Sequence, residues 1–226
     1  MKLTYEGKTK KVYTLEDGNL LLEFKDDGTV NEDGNFDPGG NKVGVSVKGM
    51  GDANLRLSKF FFTKINEAGF PCHFVSADLE KATMTVKPAS IFGNGLELIC
   101  RFKATGSFIR RYGLYAKEGQ DLPALVEVTI KDDKHGDPPI TQESLAVLGI
   151  MSAEEYDTLV SMTKEIAALV KNELENKNAQ LYDIKLEFGR CDGNIILIDE
   201  ISGGCMRVYK DGALLQPLDI ARLMLS

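Results

Sequence analysis

The chain has 226 residues, 43% of them hydrophobic, enough to close one large domain or two small lobes around a core. Its net charge of −7 argues against a general nucleic-acid or anionic-membrane binder, which usually carries a basic excess. No long apolar run follows the N-terminal lysine and none approaches a membrane span, so neither a signal peptide nor a membrane segment is expected.

In chain order, residues 5 to 25 read as two strands joined at Glu16-Asp17-Gly18-Asn19, where Asp-Gly is a strong hairpin signal. In the first of them, alternation puts Lys8 and Lys10 on one face with Val12, and Lys11 on the other with Thr9 and Tyr13. Two readings stand for these lysines: a hairpin flap laid over phosphates, or charges that guard an edge strand. No glycine pattern of the P-loop or dinucleotide-binding kind is present. The Gly-, Asp- and Asn-rich stretch from Asp26 to Gly51 reads as a long loop or a flap with short strands. Residues 53 to 68 read as a helix stopped by Gly69. Short strands are expected at His73 to Ser76 and Thr83 to Lys87, and Lys87-Pro88-Ala89-Ser90 marks a break between two lobes, residues 1–88 and 89–226.

Beyond that break, Gly95 to Lys103 and Leu125 to Lys131 read as strands, with a short helix over Thr105 to Tyr112 between them. The clearest helix runs from about Ala153 to Lys177, opened by a capping box of Ser152 and Glu155. Two final strands, about 180 to 188 and 195 to 201, flank Cys191-Asp192-Gly193-Asn194. Cys72, Cys100, Cys191 and Cys205 form no CxxC, and only two histidines accompany them, so a zinc site is not expected. Reduced thiols in a cytoplasmic protein are the simplest reading.

The most informative stretch is LYDIKLEFG, residues 181 to 189. Alternation sets Tyr182, Ile184, Leu186 and Phe188 on one face, and Asp183, Lys185 and Glu187 on the other with Leu181. An amphipathic strand with solvated charges would explain this alone. The following run Ile195 to Ile198 reads as a strand buried on both faces, ending in Asp199 and Glu200. A three-residue loop at Asp192-Gly193-Asn194 is expected, setting Glu187 opposite Asp199; a two-residue turn would set Glu187 opposite Ile198. Carboxylates about 4 Å apart repel by about 4 kcal/mol at an effective dielectric of 20. A divalent cation removes that penalty, and an all-oxygen pair suits Mg²⁺ held together with substrate phosphates.

Three further stretches could handle anions. In ICRFKATGSFIRRYG, Arg101 and Lys103 share a strand face, and Gly106-Ser107 opens a short helix whose N–H groups suit phosphate. A solvated basic helix is the alternative, and RNA binding is disfavoured by the acidity of the chain. In VTIKDDKHGDPPI, Pro138 and Pro139 fix an extended segment that can aim Asp137 into a cleft close to Lys131, or merely close an acidic turn. In EISGGCMRVY, a Gly-Gly loop delivers Arg207 to an anion, or is a plain turn.

Taken together, YEGKTKKVY, LLEFKDD, NEAGFPCHFVSA, ICRFKATGSFIRRYG, IKDDKHGDPPI, YDIKLEFGR, IDEIS and CMRVY, in that order over nearly the whole chain, resemble the phosphoribosylaminoimidazole-succinocarboxamide synthases (SAICAR synthases). The resemblance implies an α+β fold of two lobes, distantly like kinases and ATP-grasp enzymes, with ATP in the cleft between antiparallel sheets. It implies a ligase of purine biosynthesis that joins 5-amino-4-carboxyimidazole ribonucleotide (CAIR) to L-aspartate with ATP and Mg²⁺, through an acyl phosphate. On that basis Lys8 and Lys10 would contact ATP phosphates, and Met84, Val86 and Lys87 would surround the adenine. Glu187 and Asp199 would hold Mg²⁺. Arg101, Ser107 and Arg207 would bind the ribonucleotide phosphate. Lys131, Asp137, Asp183 and Lys185 would line its imidazole and carboxylate end, with Asp183 and Lys185 closest to the chemistry. No residue is assigned to the aspartate pocket, and association into a homo-oligomer is left open.

Departures from the family pattern exist. Ser202-Gly203-Gly204 stands where many members have SPD, and the stretch from Asn31 to Gly51 differs from the common pattern. A small-molecule kinase using the same cleft, or a nucleotide sensor without turnover, remains an alternative.

Overall fold

The first strands already depart from the expected pair. The chain turns back at Gly7–Thr9, where the Gly7 N–H donates to the Lys10 carbonyl, so this stretch forms three strands: β1 (Lys2–Glu6), β2 (Lys10–Thr14) and β3 (Leu20–Phe24). Lys8 therefore sits in a turn, and strand alternation does not relate it to Lys10. The computed structural model describes the chain apart from residues 32, 35 and 41. The flap expected over Asp26 to Gly51 holds β4 (Asp27–Val30) and β5 (Lys42–Ser46), paired with each other. Then come α1 (Met50–Glu67), β6 (Phe74–Asp78) and β7 (Thr83–Val86). The Asp26 carboxylate accepts the N–H groups of Gly49 and Gly51, which anchors the first turn of α1 to the end of β3.

Past Lys87 follow β8 (Ser90–Ile91), β9 (Leu96–Lys103), α2 (Ser107–Tyr112), β10 (Asp121–Ile130), α3 (Gln142–Val147) and α4 (Ala153–Glu175). The chain ends with β11 (Gln180–Cys191), β12 (Asn194–Ile198), β13 (Met206–Lys210), β14 (Ala213–Leu214) and α5 (Pro217–Leu225). Both halves of the Ser152–Glu155 capping box are present at the start of α4. The hairpin β13–β14 and helix α5 follow the two strands that were expected to be the last.

Two antiparallel sheets carry the fold. One has the order β1-β2-β3-β7-β6; the other runs β10-β9-β11-β13-β14. Strand β11 is the spine of the second: its first half lies between β9 and β13, and its second half between β12 and β8. Helix α4 lies across β9, β10 and β11, while α1 packs on α5 and against β3 and β6. A single apolar cluster runs through both sheets, from Leu22 and Met84 through Phe61 and Phe62 of α1 to Ile166, Ile184 and Val208. The mix of helices and antiparallel sheets is the expected α+β class. No helix among the described residues is long and apolar enough to cross a membrane.

Two alternation details differ from expectation. A bulge in the β11–β13 pairing, between Leu181 and Asp183, moves Leu181 rather than Tyr182 into the core. Tyr182 instead stacks on Tyr209 at 3.8 Å between ring centroids. The β11–β12 turn is the two-residue one, with Cys191 paired to Asn194 and Glu187 opposite Ile198, not Asp199. Asp192 and Gly193 both adopt positive φ, 50° and 78°, the backbone that matches the twist of a tight hairpin.

Candidate active site

The sheet register writes the first part of the site. Arg101 on β9 is directly opposite Asp183 on β11, which is directly opposite Arg207 on β13. The row places one carboxylate between two guanidiniums: Asp183 Oδ2 accepts from Arg101 Nη1 at 2.8 Å and from Arg207 Nη1 at 2.7 Å. Arg101 is fully buried, yet every side of its fork is used. Its Nε donates to Glu127 at 2.5 Å and its Nη2 to the Ser107 hydroxyl at 2.9 Å. Arg111 donates to the other oxygen of Glu127 at 2.8 Å. Buried guanidiniums are tolerated because charge-assisted bonds replace the lost water.

Arg207 closes the row toward the flap. Its Nη2 donates to Asp37 at 2.5 Å, and burial, which alone would lower it, is outweighed by Asp183 and Asp37, so it is held above its ordinary value. Gly106 lies so close that a Cβ there would fall 2.7 Å from the Arg207 guanidinium carbon, which explains the glycine before Ser107. Arg101, Ser107, Asp183 and Arg207 line a cavity of about 850 Å³, together with Asp137, Lys185 and Glu97. Such a volume suits a nucleotide-sized ligand.

The second part of the site joins the two sheets. Lys10, from β2, reaches Asp199 at 2.8 Å and Glu200 at 2.5 Å. Lys131 pairs with Glu187 at 2.7 Å, and Lys185 with Glu97 at 2.8 Å. Burial alone would lower the Lys10 ammonium, but Asp199 and Glu200 override it and hold it above its ordinary value. Lys185 behaves likewise: Glu97 and Glu187 outweigh its burial. Burial pushes the Glu187 carboxyl up, and the neighbouring Asp199 charge pushes it further. Burial acts the same way on Asp199, but Lys10 and Lys131 win and hold it well below the usual carboxylate range.

The expected meeting of Glu187 with Asp199 thus occurs by another route. With Glu187 opposite Ile198, an extended Asp199 would face away from Glu187. Asp199 instead adopts φ +67°, left-handed and uncommon for a residue with a side chain. Among the described residues no set of three or more His, Cys, Asp or Glu side chains gathers for a metal. Two neighbouring carboxylates with no nitrogen or sulfur ligand nevertheless fit a hard cation whose other ligands are water and substrate oxygens.

The remaining expected residues are placed as follows. Lys8 pairs with Asp133 at 2.8 Å, at the exposed rim. Asp137 lines the cavity, but its carboxylate also accepts the Asp132 N–H at 2.8 Å and so shapes its own loop. Asp183 and Lys185 share a face as expected, yet Asp183 is committed to the arginines and Lys185 to Glu97, so they do not act on one point. Met84 and Val86 are buried in the apolar core and Lys87 is exposed; none of the three lines the 850 Å³ cavity. Glu97, Glu127 and Asp37 went unrecognised in the sequence. Extending the alternation of Arg101 and Lys103 back along β9 reaches Glu97; Glu127 and Asp37 had no such signal.

The Gly-Gly departure has a local cause. Ser202 is buried, donates to Glu200 and accepts the Gly204 N–H at 2.9 Å. A Cβ on Gly203 would lie 2.5 Å from Pro217, the first residue of α5, so position 203 leaves no room for a side chain, whereas a Cβ on Gly204 would meet nothing nearer than the Ser202 hydroxyl at 3.3 Å. His73 is buried beside Asp199: its Nε2 lies 3.1 Å from the Asp199 carbonyl oxygen, and burial lowers it to about 4, so it is neutral near pH 7.

The family model described as SAICAR synthetase matches residues 3–216. The chain is 58% identical, across the full length of both proteins, to the phosphoribosylaminoimidazole-succinocarboxamide synthase of Clostridium tetani. Among solved structures it resembles a SAICAR synthetase (Type-2) in complex with ADP, with TM-score 0.83 and 33% identity over 94% of this chain and 87% of that one. It also resembles the Type-1 SAICAR synthetase of Pyrococcus horikoshii, with TM-score 0.80 and 31% identity over 92% and 87% of the two chains. Sequence and fold agree over nearly the whole length, and the chain belongs to the SAICAR synthetase family.

Proposed function

We propose that the protein is an ATP-dependent carbon–nitrogen ligase that joins CAIR to L-aspartate, yielding SAICAR, ADP and phosphate. The observation that carries this reading is the adjacency of a buried arginine–serine anion pocket to a lysine-neutralised pair of carboxylates. The residues divide the work by charge. Arg101, Ser107 and Arg207 hold the ribonucleotide phosphate, and Asp183, which touches both arginines, positions them. Lys10 and Lys8 face the phosphates of ATP, and Met84, Val86 and Lys87 adjoin the adenine where residues 1–88 give way to 89–226. Lys131 and Lys185 sit where the imidazole carboxylate meets the γ-phosphate, with Asp137 at the same end.

A carboxylate is a poor acceptor because its leaving group is bad. In the first step a carboxylate oxygen attacks the γ-phosphorus, the bond to the β–γ bridging oxygen breaks, and ADP departs. In the second the aspartate amine attacks the acyl carbon, phosphate leaves, and the nitrogen loses a proton. Both steps bring anions together, so the enzyme's main contribution is preorganised positive charge. Glu187 and Asp199 would hold Mg²⁺, which supplies charge neutralisation at the phosphates. Lys10, Lys131 and Lys185 hold Asp199 ionised before any ligand arrives, and Lys131 and Lys185 oppose the upward push that burial and Asp199 exert on Glu187.

The test is a phosphate-release assay with ATP, Mg²⁺, CAIR and L-aspartate. Release should require all four, and SAICAR should form in equal amount. Equal release without aspartate would exclude amide formation.

The flap adds a second expectation. Within the ion-pair network, Arg101, Arg111 and Arg207 face Glu127, Asp183 and Asp37, so the charges already balance. A phosphate at Arg207 would meet the Asp37 carboxylate, and like charges about 4 Å apart repel by about 4 kcal/mol at an effective dielectric of 20. Asp37→Asn should therefore tighten inorganic phosphate binding by at least about tenfold in a calorimetric titration. Unchanged affinity would mean that Asp37 moves aside freely.

A further inference from the structure

Asp199 is the last place where β12 could still be a strand, and it is not one. With its left-handed φ of +67° its carboxylate reaches Lys10 at 2.8 Å and is near enough for its charge to act on Glu187. Such a conformation at a residue with a Cβ is strained, and persists where the surroundings over-determine it. The flanking groups of Asp199 therefore matter as much as its carboxylate.

Residues 71–73 are placed to supply that constraint. Leu197 N–H donates to the Pro71 carbonyl at 2.9 Å and His73 N–H to the Leu197 carbonyl at 2.9 Å, so this segment runs alongside β12. The His73 carbonyl accepts the Lys87 N–H at 2.7 Å, tying it also to the connection between the sheets. Its imidazole, buried and 5.3 Å from the Phe62 ring, points past the strand end to the Asp199 carbonyl. A carbonyl oxygen can only accept, so Nε2 carries the proton and donates. The side chain thus grips the one peptide whose rotation would carry the Asp199 carboxylate away from Glu187.

We infer that His73 is a positioning residue: its Nε2–H holds the turned Asp199 peptide, and so sets the carboxylate pair that receives the divalent cation. The cation is part of the function proposed above, and the inference rests on that reading. The turned peptide itself does not depend on it.

The test compares His73→Gln, whose amide N–H can replace Nε2–H, with His73→Phe, which keeps an aromatic ring and loses the donor. Crystal structures should show Asp199 at positive φ in the Gln variant and relaxed from it in the Phe variant. Positive φ in both would overturn the inference. ADP binding, titrated with and without Mg²⁺, gives a second readout. Loss of an outer-shell partner typically costs roughly 10–100-fold in metal affinity. The gain in ADP affinity from Mg²⁺ should fall by that factor in the Phe variant, remain within about twofold of wild type in the Gln variant, and leave Mg²⁺-free affinity unchanged. Equal impairment of both variants would overturn the inference. A wild-type protein that gains nothing from Mg²⁺ would instead remove the metal reading, and the two crystal structures would still decide the role of His73. Should the Phe variant fail to fold, His73→Asn, too short to reach the carbonyl, takes its place.

Discussion

Arg101→Met should lose ribonucleotide binding and melt early. The arginine is wholly buried and its fork is shared among Glu127, Asp183 and Ser107. Methionine fills much of the volume but leaves buried carboxylates short of a partner. Breaking such a pair from one side costs roughly 3–5 kcal/mol. The lower end applies, because Glu127 keeps Arg111 and Asp183 keeps Arg207. For a chain of this size that is a drop of about 6–12 °C in melting temperature. Inorganic phosphate affinity should fall by roughly 10–100-fold, since a charge-assisted contact is worth about 1.5–3 kcal/mol. Arg101→Lys should restore part of the stability and little of the binding, because one ammonium cannot serve three directions set by a planar fork. A melt that shifts while phosphate binding holds would make Arg101 a structural pillar only.

That arginine also shows how far the sequence could be read. Alternation along β9 placed Arg101 on a face, and alternation along β11 placed Asp183 on one. Nothing within either strand states that the two lie opposite each other. That depends on the register between strands 82 positions apart in the chain, which only the packed sheet fixes. Glu127 and Asp37 stayed hidden for the same reason: each becomes part of the site through a neighbour remote in sequence. Local signals fared better. The capping box and the long helix α4 rest on contacts within a few residues and could be recognised directly, whereas β10, which is bounded by its pairing with β9, begins at Asp121 and not at the expected Leu125.

The pair Glu187 and Asp199 is the instructive middle case. Its existence was legible from the chemistry of acidic residues beside buried apolar strands. Its geometry was not, because alternation places the Asp199 side chain only if the strand continues through it, and β12 ends at Ile198. The turn took two residues instead of three, and a left-handed backbone supplied the missing half-turn of the side chain. The opening lysines erred similarly. Gly7–Thr9 forms a turn without an Asn-Gly or Asp-Gly signal, so Lys8 and Lys10 were given a shared strand face that the backbone does not provide. The last helix, α5, is nine residues long, and its Pro217 start is a signal that becomes persuasive only beside Gly203.

Lys10→Met should nearly abolish turnover, and a second substitution should separate that loss from its effect on folding. Lys10 is the charge that crosses from the first sheet to Asp199 and Glu200 in the second. Without it Asp199 faces Glu187 with Lys131 and Lys185 as the remaining cations, and Glu200 keeps the Ser202 hydroxyl as its side-chain partner among the described residues. Stability should fall by about 3–5 kcal/mol, the usual result of stranding a buried partner. Turnover should fall by roughly 10²–10³ in kcat, the scale for removing one preorganised charge-stabilising group. Asp199→Asn added to Lys10→Met removes the stranded charge, so the double variant should regain much of the stability measured by denaturant unfolding. It should regain no activity, because the carboxylate proposed to hold the cation and the ammonium proposed to face the nucleotide phosphates are then both gone. If activity returned with stability, Lys10 would serve the fold alone and the anion facing the nucleotide phosphates would have to be met elsewhere. If stability did not return, Glu200 rather than Asp199 would be the partner whose charge Lys10 chiefly offsets, and Glu200→Gln in the same background would decide between them.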